Sequence, residues 1–158
     1  MEAQLGVLDF IDAESFAPNI AAGDMEGTFR EMVRLLAGRN VVVDAEKAVE
    51  VLLEREKLGS TGIGEGIAIP HGKLPGLPGV VGVLGISRPG IDFQALDGEP
   101  VHLIFLLLSP EAEANIHLKA LSRISRLLKS RQFRQELLNC GTAAELYEKI
   151  KEEENRGS

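Results

Sequence analysis

The chain has 158 residues, enough for one core of useful size, and its 44% hydrophobic and 26% charged residues match ordinary globular usage. A net charge of −7, a single tyrosine and no tryptophan argue against a nucleic-acid partner, which needs clustered cations and stacking platforms. No apolar run reaches the roughly 20 residues that cross a bilayer, and the acidic start MEAQLGVLDF does not suit a signal peptide. The expectation is a cytoplasmic protein with no direct membrane insertion. The one cysteine, Cys140, excludes an internal disulfide and a Cys-rich zinc site, and it reads as a passive thiol.

In chain order, Asp24 precedes Met25, Phe29, Met32, Val33, Leu35 and Leu36 at helical spacing, with Gly38 as the stop. Asp44 repeats the capping signal, and a second helix is predicted to about Arg55. Four glycines between Gly59 and Gly66 make a helix or long strand costly and predict a shaped loop. Ile67 to Ile69 then read as a short strand ending at Pro70, which puts His71 at a strand end. Val80 to Ser87 and Val101 to Leu108 are near-continuous apolar runs, as strands covered on both faces would be. A helical stripe from Ile116 to Leu128 follows, then Phe133 with Leu137 and Leu138, then a last helix opened by the Thr142–Glu145 capping box.

The fold class predicted is α/β: a mixed parallel and antiparallel sheet with helices on both faces, an α/β/α sandwich. Residues 1–158 read as a single domain without repeat or linker, 152–158 being a frayed polar tail. The basic residues Arg123, Arg126, Lys129, Arg131 and Arg134 read as a solvated helical face.

The segment Arg55 to Lys73, REKLGSTGIGEGIAIPHGK, gathers a cation, two hydroxyls, glycines and a histidine at one loop and strand end. Such a set suits an anion. Glycines admit backbone N–H groups close to phosphate, Ser60 and Thr61 can donate, and Arg55 brings a delocalised charge. Each has an ordinary alternative: Arg55 can satisfy helix-end carbonyls, and the hydroxyls can serve a turn. The glycines fit neither a phosphate-binding Walker loop nor a dinucleotide fingerprint, because Leu74 stands where the first needs Ser or Thr and Ile67 where the second needs Gly.

Glu56, Ile63, Gly64, Ile67, Ala68, Ile69, Pro70, His71 and Gly72 fill every specified place of a known signature. In these residues the chain resembles the type-2 enzyme IIA domains of the bacterial phosphotransferase system, the fructose, mannitol and nitrogen-regulatory branches. The likeness runs on through PVHLIFLLLSP and NIHLKALSRISRLL to ELYEKI, and the motif region looks most like the nitrogen type. The resemblance implies that His71 accepts a phosphoryl group from an HPr-like phosphohistidine protein, that His117 is the second active-site histidine, and that Arg55 lines the site. It also implies one of two roles. The chain is either a regulator whose phosphorylation gates binding to target proteins, the favoured reading, or a relay donating phosphate to a sugar permease domain.

The chemistry of the residues agrees, since a neutral imidazole is nucleophilic near neutral pH and phosphoryl transfer needs mainly alignment and charge stabilisation. No cofactor is expected. A zinc site from His71, His117 and Glu65 lacks a close-spaced ligand pair, and His102, at a strand start, reads as structural.

Overall fold

A computed structural model describes residues 5–38, 44–112 and 114–156. After a short 3-10 turn at Val7–Asp9, its elements are β1 (Phe16–Ala17), α1 (Met25–Gly38), α2 (Ala45–Lys57), β2 (Gly62–Gly64), β3 (Ile67–Ala68), β4 (His71–Leu74), β5 (Val81–Ile91), β6 (Val101–Pro110), α3 (Ala114–Leu127), α4 (Arg131–Leu138) and α5 (Ala143–Arg156). The predicted caps are made: Asp24 accepts from the Gly27 N–H at 2.8 Å, and Asp44 from that of Lys47 at 3.0 Å. At α5 the Thr142 hydroxyl accepts from the Glu145 N–H, while the Glu145 carboxylate accepts from the hydroxyl and from the Gly141 N–H.

The sheet is mixed, in the order β1, β5, β6, β3, β2, with β4 also on β6. β5 and β6 are antiparallel, whereas β3 and β4 both run parallel to β6 along its other edge. Pro70 interrupts that edge without ending it. It has no N–H to give, but its carbonyl accepts from the Leu107 N–H at 2.9 Å, and pairing resumes with His71 opposite Leu107. His71 is therefore the first residue of a new strand rather than a residue beyond the end of one.

Alternation along β6 sends Ile104, Leu106 and Leu108 into one core with Phe29, Met32 and Leu36 of α1 and Leu52 of α2. Leu103, Phe105 and Leu107 enter the other core, with Ile124 of α3, Leu137 of α4 and Leu146 of α5. The helix-covered α/β sandwich is the observed architecture.

Four local readings change. The glycine loop contains β2, joined to β3 by a tight turn in which Glu65 and Gly66 have φ of 58° and 78°, the left-handed pair that a two-residue hairpin demands. β5 runs past Ser87 to Ile91, its register shifting after Ile86, so Arg88, Pro89 and Gly90 are absorbed at an irregularity rather than ending the strand. The basic face is not wholly solvated: Arg134 is buried, donating to the Leu128 and Lys129 carbonyls at the end of α3, and Arg123 pairs with Glu154 at 3.1 Å. That pairing also overturns the frayed tail over residues 152–156, residues 157 and 158 lying outside those described. Glu154 accepts from the Val7 N–H at 2.6 Å as well, so α5 stays ordered through Arg156.

Candidate functional site

The parallel register of β4 on β6 decides what meets at the site. It sets His71 beside Leu107 and Lys73 beside Ser109, and the chain then turns into α3, which carries His117 back over this end of the sheet. The imidazoles of His71 and His117 lie 5.3 Å apart, centre to centre, tilted by 55°. Gly72 is required by packing on the other side, since a Cβ there would stand 2.5 Å from Val51 Cγ1 of α2. This close approach brings the end of α2, with Arg55, against His71.

His71 has a fixed tautomer. Its Nδ1 is 2.8 Å from the Ile69 carbonyl oxygen, which can only accept, so Nδ1 bears the proton and Nε2 the lone pair. Arg55 Nε–H donates to that Nε2 at 3.3 Å, and its Nη1 donates to the Gly59 carbonyl at 2.9 Å. Burial, with the Arg55 charge, lowers the His71 pKa against the opposing pull of the Ile69 carbonyl, keeping the ring neutral and nucleophilic. His117 is 7% exposed, and burial, then the neighbouring His71 and Lys73, lowers its pKa to about 4.

Of the five residues singled out in the sequence, the fold brings His71, His117 and Arg55 together. Ser60 and Thr61 are engaged elsewhere. The Ser60 hydroxyl donates to the Phe93 carbonyl and accepts from the Gly62 N–H, and the buried Thr61 donates from its hydroxyl and its N–H to Glu56. In this conformation neither hydroxyl has a proton left for a phosphoryl oxygen. Glu65 pairs with Arg134 at 3.2 Å. A groove of about 700 Å³ between α1, α2 and residues 92–94 is lined by Glu56 and Ser60 but by neither imidazole.

Sequence reasoning missed Ser109, whose Oγ is 2.6 Å from His117 Nδ1, and the electrostatic reach of Lys73 and Glu56. A signal for Ser109 was present: a hydroxyl inside the apolar run LIFLLLSP must find a partner if buried.

Fold and site together define an open α/β sandwich that presents two neutral imidazoles and a guanidinium at the end of its central strand. Residues 9–153 match the model of the phosphoenolpyruvate-dependent sugar phosphotransferase system EIIA 2 family, and the chain belongs to that family. It is 42% identical over 146 residues to a nitrogen regulatory protein of Bradyrhizobium diazoefficiens, covering 89% of this chain and 92% of that one. It is also 38% identical over 132 residues to the fructose-specific EIIABC component of Bacillus subtilis, covering 84% of this chain but only 21% of that longer protein. Among solved structures, the nitrogen regulatory protein IIA-Ntr of Neisseria meningitidis superposes with a TM-score of 0.82 at 33% identity, covering 90% of this chain and 97% of that one. The protein is thus a phosphotransfer component. No helix among the described residues is long and apolar enough to cross a membrane.

Proposed function

We propose that His71 Nε2 accepts a phosphoryl group from an HPr-like phosphohistidine carrier, and that the phosphorylated and free forms are read by regulatory target proteins in the cytoplasm. The observation that carries this reading is what surrounds the His71 ring. The Ile69 carbonyl holds the proton on Nδ1, so Nε2 keeps its lone pair; Arg55 Nε–H donates to that lone pair at 3.3 Å, and a second imidazole lies 5.3 Å from the ring, centre to centre.

The step is an in-line displacement. The Nε2 lone pair attacks phosphorus, the donor's P–N bond breaks, and its electron pair stays with the donor imidazole. His71 keeps Nδ1–H, so the phosphorylated ring is cationic and remains a good leaving group for onward transfer, its charge supported by the Ile69 carbonyl. Arg55, which donates to the lone pair in the free form, meets the phosphoryl oxygens once that lone pair is bonded.

The match along 92% of the Bradyrhizobium diazoefficiens protein supports regulation. The fructose-specific relative favours a second reading, in which His71 hands its phosphoryl group to a permease component. Phosphate adds roughly −1.5 to −2 charges at one spot, which is enough to make or break a small protein contact. Phosphorylation should therefore change the affinity for at least one non-transporter protein by about tenfold or more, roughly 1.4 kcal/mol. Binding of both forms to proteins captured from extract, with H71A as the unphosphorylatable control, checks this. Equal binding in both states, together with rapid transfer from His71 to a sugar permease domain, would replace the regulator with the relay.

A further inference from the structure

Ser109 is fully buried on β6, and its hydroxyl touches His117 Nδ1 at 2.6 Å. A serine hydroxyl can donate or accept, and so can an imidazole nitrogen according to its tautomer, so the contact alone does not set the direction. The surroundings do. Among the described residues, His117 is the one hydrogen-bond partner of this hydroxyl. A buried O–H without an acceptor gives up its hydration for nothing, so the Ser109 proton points at Nδ1. Nδ1 is then the acceptor, and the neutral ring carries its single proton on Nε2.

We propose that Ser109 is a positioning residue that fixes His117 as the Nε2–H tautomer, opposite to that of His71. A backbone carbonyl holds the proton of one ring on Nδ1, a buried hydroxyl leaves the other bare there, and the pair presents one nucleophilic nitrogen and one donor. During transfer, negative charge spreads over the three phosphoryl oxygens, and a fixed N–H beside them lowers the barrier, whereas the other tautomer would face them with a lone pair. The proton stays on His117 throughout; only the two P–N bonds change. The kinetic half of this proposal rests on His71 as acceptor, and the tautomer half does not.

The test uses the whole chain with isotope-labelled histidine, its ring nitrogens assigned from long-range proton–nitrogen correlations near neutral pH. His117 is expected to show a bare Nδ1 and a protonated Nε2, and His71 the reverse. In S109A the His117 tautomers should mix. Transfer from a radiolabelled phosphorylated HPr-like carrier should slow about tenfold at saturating carrier, with the half-saturating concentration unchanged. S109T, which retains the hydroxyl, should restore both. Protonated Nδ1 on His117 in the unaltered protein overturns the assignment, and that spectrum decides even if S109A fails to fold. Mixed tautomers with an undiminished rate overturn the positioning role. If the label settles on a residue other than His71 while His117 is Nε2–H, the acceptor reading falls and the tautomer assignment stands.

Discussion

The two ends of β6 each hold a histidine anchored in the same way, and only one of them has the company that chemistry needs. At the C-terminal end His71 Nδ1 meets the Ile69 carbonyl at 2.8 Å; at the N-terminal end His102 Nδ1 meets the Ser87 carbonyl at 3.0 Å. Both rings thereby hold an Nδ1 proton against a carbonyl. Around His71 stand Arg55 and His117. Around His102 stand Pro100 and the Gly90 backbone, in a cleft of about 520 Å³ whose charges, among them Glu65, Asp97, Glu99, Arg131 and Arg134, are of both signs. A carbonyl on Nδ1 is thus not by itself the mark of a site. The candidate site is distinguished by a guanidinium on the Nε2 of His71 and a second neutral ring beside the first.

The sharpest way to break this comparison is to remove each ring in turn. H71A should abolish acid-labile labelling by an HPr-like phosphocarrier, while H102A should label at the normal rate and stoichiometry. H117A lies between them: it should still accept label, with transfer slowed about a hundredfold if one charge-stabilising donor has its usual worth. Rapid quench with radiolabelled carrier reads all three. Full labelling of H71A, or a slowed H102A, would erase the distinction between the two ends.

This contrast was partly legible in the sequence. The signature around His71, the helix caps and the doubly covered strands rest on local pattern, and the helices and the sheet follow from them. The pairing of His71 with His117 is separated by 46 residues and follows from the parallel register of β4 on β6, which no local period encodes. Ser60 and Thr61 looked like ligands because hydroxyls among glycines suit phosphate, and the fold gives them protein partners instead. The Glu65–Gly66 turn was obscured because Glu65, a residue with no special liking for positive φ, takes half of it. The ordered end of α5 depends on the distant Val7 and Arg123, so a polar tail alone could not disclose it.

A smaller effect concerns the His71 end. Folding lowers the His117 pKa from the ordinary 6.5 to about 4. The unfolded chain therefore binds the proton more readily between those values. Stability from the neutral ring is fully present above about pH 6.5 and is lost as pH falls toward 4, by about 3 kcal/mol in all. His71, also lowered by burial, acts in the same direction. Urea unfolding across this window should show the decline, and H117Q, which has no ring to protonate, should flatten part of it. A wild-type minus H117Q difference independent of pH would mean that His117 is not held neutral by the fold.

The smallest effect belongs to the other end, where Glu65 reaches Arg134 across the cleft at 3.2 Å. The two partners are unequal: the Arg134 side chain is 9% exposed and that of Glu65 73% exposed. Water already solvates the carboxylate, so its Coulomb gain is screened and is offset by the cost of ordering a long side chain. Arg134 does not depend on it, because its guanidinium is also held by the Leu128 and Lys129 carbonyls at 2.8 and 3.0 Å. E65Q should therefore cost no more than about 1 kcal/mol, diminishing with added salt. R134M, which leaves those carbonyls without their donor, should cost about 2 kcal/mol with little dependence on salt. Neither variant should alter labelling at His71. If E65Q destabilised the chain as much as R134M, the ion pair to the β2–β3 turn, and not the bonds to the end of α3, would be the main contribution of Arg134.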